Sequence, residues 1–206
     1  MRDDVASVDT ELFNRIWAIA TEIGVQERHF NGLQTGYRNM ASGWLLATFG
    51  AMGFVLTQKI DIGLDRELII ALIALAGGTG IALLWVLDLL VYHHLLDACF
   101  IEGLILERRY AWLPPFRSNM MAMEAGSGVL ARVIAFYLVP VAVMLCLAGA
   151  ALALWLYHAG RPVAAAIALL AGPALAIAVG WLMRGVTANT DVFDHRISES
   201  ERPKTG

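Results

Sequence analysis

The sequence predicts an all-α integral membrane protein with four transmembrane helices in two hairpins, and three observations lead there. Of its 206 residues 58% are apolar and only 16% are charged, a balance outside the range of soluble domains. Four stretches contain no Asp, Glu, Lys or Arg, at 39–58, 68–87, 133–160 and 162–183. Each is long enough to cross about 30 Å of hydrocarbon at about 1.5 Å per residue. These runs are continuous rather than alternating, which favours helices, whose backbone is satisfied internally in lipid, over barrel strands. The composition excludes a disordered chain, a charge-rich soluble domain and a disulfide scaffold. A net charge of -3 offers no basic surface to a nucleic acid. The two cysteines, Cys99 and Cys146, show no metal-type spacing.

Residues 1–38 are charged throughout and hold no apolar core of a signal peptide, so they read as a cytoplasmic N-terminal helix. Large apolar residues recur at Leu12, Ile16, Ile19, Ile23, Phe30, Leu33, Tyr37 and Met40, with Gln26 in the one gap. Spacings alternating between four and three make a heptad seam. Ser7 or Asp9 can cap its start, and Gly24 offers a point for a bend at about 1 kcal/mol. The seam leads into the first span at 39–58, followed by an outer loop at 59–67.

The second span, 68–92, is expected to overrun the membrane, because "YHHLLDACFIEGLILERRYAW" meets no proline before Pro114 and Pro115. The segment 93–132 is thus a cytoplasmic helical extension and loop, with "LPPFRSNMMAMEAGSG" as the loop, open to a surface-lying turn at "NMMAM", and Ser127 as a cap for the next helix. The apolar sides of this extension need a cover, and the N-terminal seam is the obvious one. The expected result is a coiled-coil-like hairpin, with the seam packing within one chain or zipping subunits together. The third span is 133–157, a tight outer turn "HAGRP" covers 158–161, the fourth span is 162–183, and 184–206 is a polar cytoplasmic tail.

In the fourth span every fourth residue is small, at Ala164, Ala168, Gly172, Ala176 and Gly180. Such a ridge allows near-backbone contact between helices where lipid removes the hydrophobic driving force. Lys and Arg number four before the first span, four between the second and third, and four after the fourth, against three in the outer segments (Lys59, Arg66, Arg161). That bias places both termini in the cytoplasm of a bacterial-type inner membrane.

Asp88 is the acidic residue inside a span, a candidate for an ion or proton path or for an interfacial hydrogen bond to a neighbouring helix. His93 and Asp97 lie four apart on one helical face with His94 close by, a pattern able to hold a metal ion or to titrate as a pH switch. Adjacent histidines cannot both reach one ion without strain, and no third ligand is evident. No phosphate loop or nucleophile elbow is present: "AGGTG" at 76–80 lies within a span and lacks the Lys-Ser/Thr that would follow. No catalytic residue and no cofactor are expected. His158 and Arg161 in the outer turn read as solvated.

A charged helical N-terminus leading into a membrane hairpin whose second helix runs on into the cytoplasm resembles small bacterial effector proteins of the SLATT type, which are thought to act on membranes. The resemblance is one of layout over roughly residues 10–115. It transfers no residue, and the second hairpin departs from that form. The expectation is therefore a non-catalytic, homo-oligomeric channel, pore-type effector or scaffold. Its partners would be the lipid bilayer and a cytoplasmic protein met through the extension. The alternative is a membrane enzyme or transporter subunit using Asp88, His93, His94 and Asp97.

Overall fold

A computed structural model describes residues 2–58, 63–124 and 129–188. Every regular element among them is helical: α1 (Arg2–Thr57), α2 (Arg66–Trp85), a π-helical segment (Val86–Tyr92), α3 (His93–Arg109), α4 (Phe116–Glu124), α5 (Val129–His158) and α6 (Pro162–Ala188). Four helical stretches are long and apolar enough to cross a membrane: Thr10–Thr57, Arg66–Arg109, Ala131–His158 and Pro162–Val186. The chain is thus built as a multi-pass membrane protein. It divides into two compact units, one gathering 2–35 with 91–124, the other 36–90 with 129–188.

The second of these holds the apolar core. Ile81, Trp85, Leu89, Ile134, Tyr137, Val141, Met183 and Ala41 form one buried cluster, and Met52, Ala74, Met144 and Ala148 form another. The α5–α6 contact is the tightest, because glycines face backbone. A Cβ on Gly172 would lie 2.7 Å from the Leu145 carbonyl oxygen, and one on Gly149 would lie 2.8 Å from that of Ala168. Ala165 and Ala168 pack beside them. Against α2, the α1 side chains Thr48 and Trp44 fill the places where Cβ atoms of Gly77 and Gly80 would stand. The Trp44 indole donates to the Gly77 carbonyl at 3.2 Å.

Between α5 and α6 the chain reverses through a Schellman turn. Arg161 N–H bonds to Leu156 O at 2.9 Å and Gly160 N–H to Tyr157 O at 3.0 Å, with Gly160 at φ 72°. Pro162 then opens α6 at a position where its missing N–H costs nothing. Near this end Trp155 Nε1 donates to Asp65 at 2.6 Å, and His158 lies 3.5 Å from Glu67, so His158 has an ionic neighbour where the sequence suggested solvent alone.

α1 runs as one helix through Gly24 and on into the first uncharged run, and only the flexible Arg28 side chain comes near that glycine; one glycine's penalty does not interrupt a ladder that gains a bond with each added residue. One local expectation is corrected. The stretch read as a loop after Pro115 contains α4. Its first free N–H groups, on Arg117 and Ser118, are accepted by the Glu107 carboxylate of α3 at 3.1 to 3.2 Å, so a cap from a distant side chain supports a helix of only nine residues. Ser127 and the tail from 189 onward lie outside the described residues, and α1 begins ahead of Ser7 and Asp9.

Candidate functional site

Asp88 sits in the π-helical segment, fully buried. The i→i+5 geometry there widens the turn, a feature that in other helices marks functional positions. One carboxylate oxygen, Oδ2, accepts from Arg38 Nε of α1 at 3.0 Å and from the Tyr137 hydroxyl of α5 at 2.8 Å. Tyr137 is also fully buried, whereas 35% of the Arg38 side chain is accessible. Oδ1 is buried and makes no hydrogen bond, as is the case for Trp85 Nε1. Three helices thus converge on one carboxylate whose charge is balanced by a guanidinium. In hydrocarbon an unpaired Asp is costly, and this pairing makes its burial tolerable.

In the other unit Arg117 ties three segments together. Its Nε and Nη2 form a bidentate pair with Glu27 of α1 at 2.6 and 2.9 Å, and Nη1 reaches Glu107 of α3 at 3.1 Å. The guanidinium crosses α3 where a Cβ on Gly103 would stand, so a larger residue there would displace Arg117 from its carboxylates. Burial alone would lower the Arg117 pKa, but the bonds and charges of Glu27 and Glu107 outweigh it and raise the value. A cavity of about 420 Å³ opens beside this node, walled by Trp17, Leu106, Leu113, Phe116 and Met120.

His93 and Asp97 do approach, at 3.8 Å, and His93 Nδ1 lies 3.5 Å from the Gln34 amide. His94 Nδ1 is buried without a hydrogen-bond partner. Among the described residues no three His, Cys, Asp or Glu side chains come together as a metal site. The Cys99 thiol is pushed up by burial and then by the Glu27 carboxylate.

Seam positions divide by exposure. Ile16 is buried and Ile23, Phe30, Leu33 and Tyr37 are half-buried, whereas Leu12, Ile19 and Met40 are exposed. The covered stripe of α1 thus takes in the seam positions Ile16, Ile23, Gln26, Phe30, Leu33 and Tyr37 and, beside them, Ala20, Glu27 and Gln34. On α6, Ala168, Gly172 and Gly180 are buried, and Ala164 and Ala176 are half-buried. Gly180 faces the Leu138 side chain of α5.

Sequence reasoning singled out Asp88 but missed Arg38 and Tyr137 as its partners. A signal was present: the uncharged runs 39–58 and 68–87 are equally long and bounded by Arg38 and Asp88, so antiparallel packing sets those two charges level. Compared with protein-family models, with curated proteins and with solved structures, the chain shows no match to any of the three.

Proposed function

We propose that the chain works without catalysis as a homo-oligomeric assembly in a bacterial-type inner membrane, as a channel, pore-type effector or scaffold. In this reading the spans form two hairpins, both termini face the cytoplasm, and the extensions of α1 and α3 form a coiled-coil-like pair that is open to a protein partner. One observation supports it above the others. On the part of α1 ahead of the first uncharged run, the seam residues Leu12 and Ile19 lie seven apart on one face and are 48% and 45% exposed. In water that apolar edge calls for a cover, and a second copy of the same seam supplies one with the matching heptad period.

Ile19→Asp tests this because Ile19 is exposed while its seam neighbour Ile16 is buried. The expected result by native mass spectrometry in detergent is a smaller assembly with unchanged helical circular dichroism. Equal mass for Ile19→Asp and the unaltered chain, or a monomeric unaltered chain, overturns the reading.

A transporter or enzyme subunit using Asp88, His93, His94 and Asp97 is the second reading, favoured by the buried, unpartnered Oδ1 of Asp88 and Nδ1 of His94. Loss of ion leakage or toxicity in Asp88→Asn, His93→Ala or Asp97→Ala, with the assembly intact, would select it over a scaffold.

A further inference from the structure

We propose that the cavity of about 420 Å³ beside Arg117 binds a single-chain fatty acid, its carboxylate on Arg28 and its acyl chain between Trp17 of α1 and Phe116 and Met120 of α4. All of its lining belongs to the unit that gathers 2–35 with 91–124. The volume is typical of ligand sites. It equals about fourteen waters at about 30 Å³ each, and a methylene group takes about the same room as a water.

The cavity is long and narrow. Along α1 its lining runs from Trp17 to Asn31, a rise of about 21 Å. Spread over that length, 420 Å³ leaves a mean cross-section of about 20 Å², the girth of one extended hydrocarbon chain. The two chains of a phospholipid do not fit, and a compact aromatic acid fills only part. Apolar walls come from Trp17 and Ala20 on α1, Leu106 on α3, Leu113 beyond it, and Phe116 and Met120 on α4. Trp17, Phe116 and Met120 are 50 to 68% exposed, so each has apolar surface left for a ligand to cover.

One charge in the lining is left over. Arg117 takes Glu27 as a bidentate partner and reaches Glu107, and Glu107 also accepts the N–H groups of Arg117 and Ser118 at the positive end of α4. Arg28 makes no hydrogen bond or ion pair among the described residues. Its Nη1 lies 3.6 Å from where a Cβ on Gly24 would stand, so the guanidinium folds back along α1 over the cavity floor. No carboxylate stands three or four positions from Arg28 on α1, where Gly24, Val25, Asn31 and Gly32 lie. A free guanidinium beside a narrow apolar channel suits a carboxylate that ends an acyl chain, and the Asn31 amide at the same wall adds a donor. Asn31 stands eight residues ahead of the uncharged run 39–58, so the site lies outside the spans. A ligand there has to leave the bilayer, and a single acyl chain holds a membrane only reversibly.

The test uses the full chain in phosphatidylcholine nanodiscs, with myristate carrying a photoactivatable diazirine as the probe and the matching tetradecanol as its uncharged control. Mass spectrometry locates the cross-linked peptides. Myristate is expected to label peptides from 17–31 and 103–120 more strongly than tetradecanol does, and unlabelled myristate should displace it. Arg28→Gln should lower that labelling about fivefold, the upper range for an exposed ion pair. Arg28→Lys should keep most of it, and Arg15→Gln, exposed on α1 away from the lining, should leave it unchanged. Gly24→Leu favours the helix and fills the cavity floor, and should remove the labelling whatever the charge. Unchanged labelling of the spans shows that each variant is intact. Labelling confined to the spans, equal labelling by acid and alcohol, equal effects of Arg28→Gln and Arg15→Gln, or labelling that survives Gly24→Leu overturns the proposal.

Discussion

Replacing Tyr137 with Phe removes one hydroxyl and changes nothing else in a fully buried ring. That hydroxyl donates to Asp88 at 2.8 Å, and neither residue reaches solvent, so no water takes its place. A hydrogen bond to a charged group contributes about 1.5–3 kcal/mol in soluble proteins, while bonds inside membrane proteins average about 0.6 and reach about 1.7 kcal/mol. The short, charge-assisted geometry puts this one near the upper membrane figure, about 1.5 kcal/mol. For a chain of this size that corresponds to a fall in Tm of about 3–6 °C. Thermal unfolding in detergent, followed by tryptophan fluorescence, measures it. A cycle with Asp88→Asn isolates the pair, because the Tyr137→Phe cost should largely vanish once the carboxylate is gone. The single Asp88→Asn change should cost less than the 3–5 kcal/mol typical of breaking a fully buried pair, since Arg38 is 35% accessible and can turn to the headgroups. A coupling between the two substitutions below about 0.3 kcal/mol, the limit at which independent sites add, would refute the view that Tyr137 holds the carboxylate.

Two further outcomes follow from the packing and the charges. Gly172→Ala should destabilise by about 1–3 kcal/mol because its Cβ meets the Leu145 carbonyl oxygen at 2.7 Å. Gly50→Ala, with nothing within 4 Å, should be neutral or stabilising by up to about 1 kcal/mol; opposite signs in thermal unfolding are the check. Cys99, whose pKa is raised from 9.0 by burial and by Glu27, should be alkylated more slowly than a free thiol at pH 8.5, the rate still climbing with pH beyond pH 9, where that of a free thiol levels off. A midpoint below 8.5 in the pH profile of maleimide labelling would contradict the burial.

The spans were legible because lipid imposes one strict demand, about 20 uncharged residues satisfied by their own backbone, and the four runs state it openly. The α5–α6 turn was legible for a similar local reason, since glycine and proline stand two residues apart in "HAGRP". α4 was not, because its cap is Glu107, ten residues upstream of Arg117, and its anchor, Glu27, is 90 residues away. No local pattern encodes either. Beside the seam positions, the covered face of α1 also takes in Glu27 and Gln34, which no apolar period marks and which tertiary bonds make tolerable. Asp88 announced itself by its charge, and its partners needed only the two equal runs to be laid side by side.

The wide turn at Val86–Tyr92 has a consequence for heredity. A π-helical turn takes up one residue more than the α-helical turn it replaces. Deleting a single residue there would close the helix into regular form and swing Asp88 by about 100° away from Arg38 and Tyr137. The carboxylate and the extra residue therefore depend on each other: either without the other leaves a charge facing hydrocarbon or a distorted helix with nothing to hold. In any descendant of this chain the two should be kept or lost together, so that a one-residue gap in this stretch would coincide with a neutral side chain at the position of Asp88.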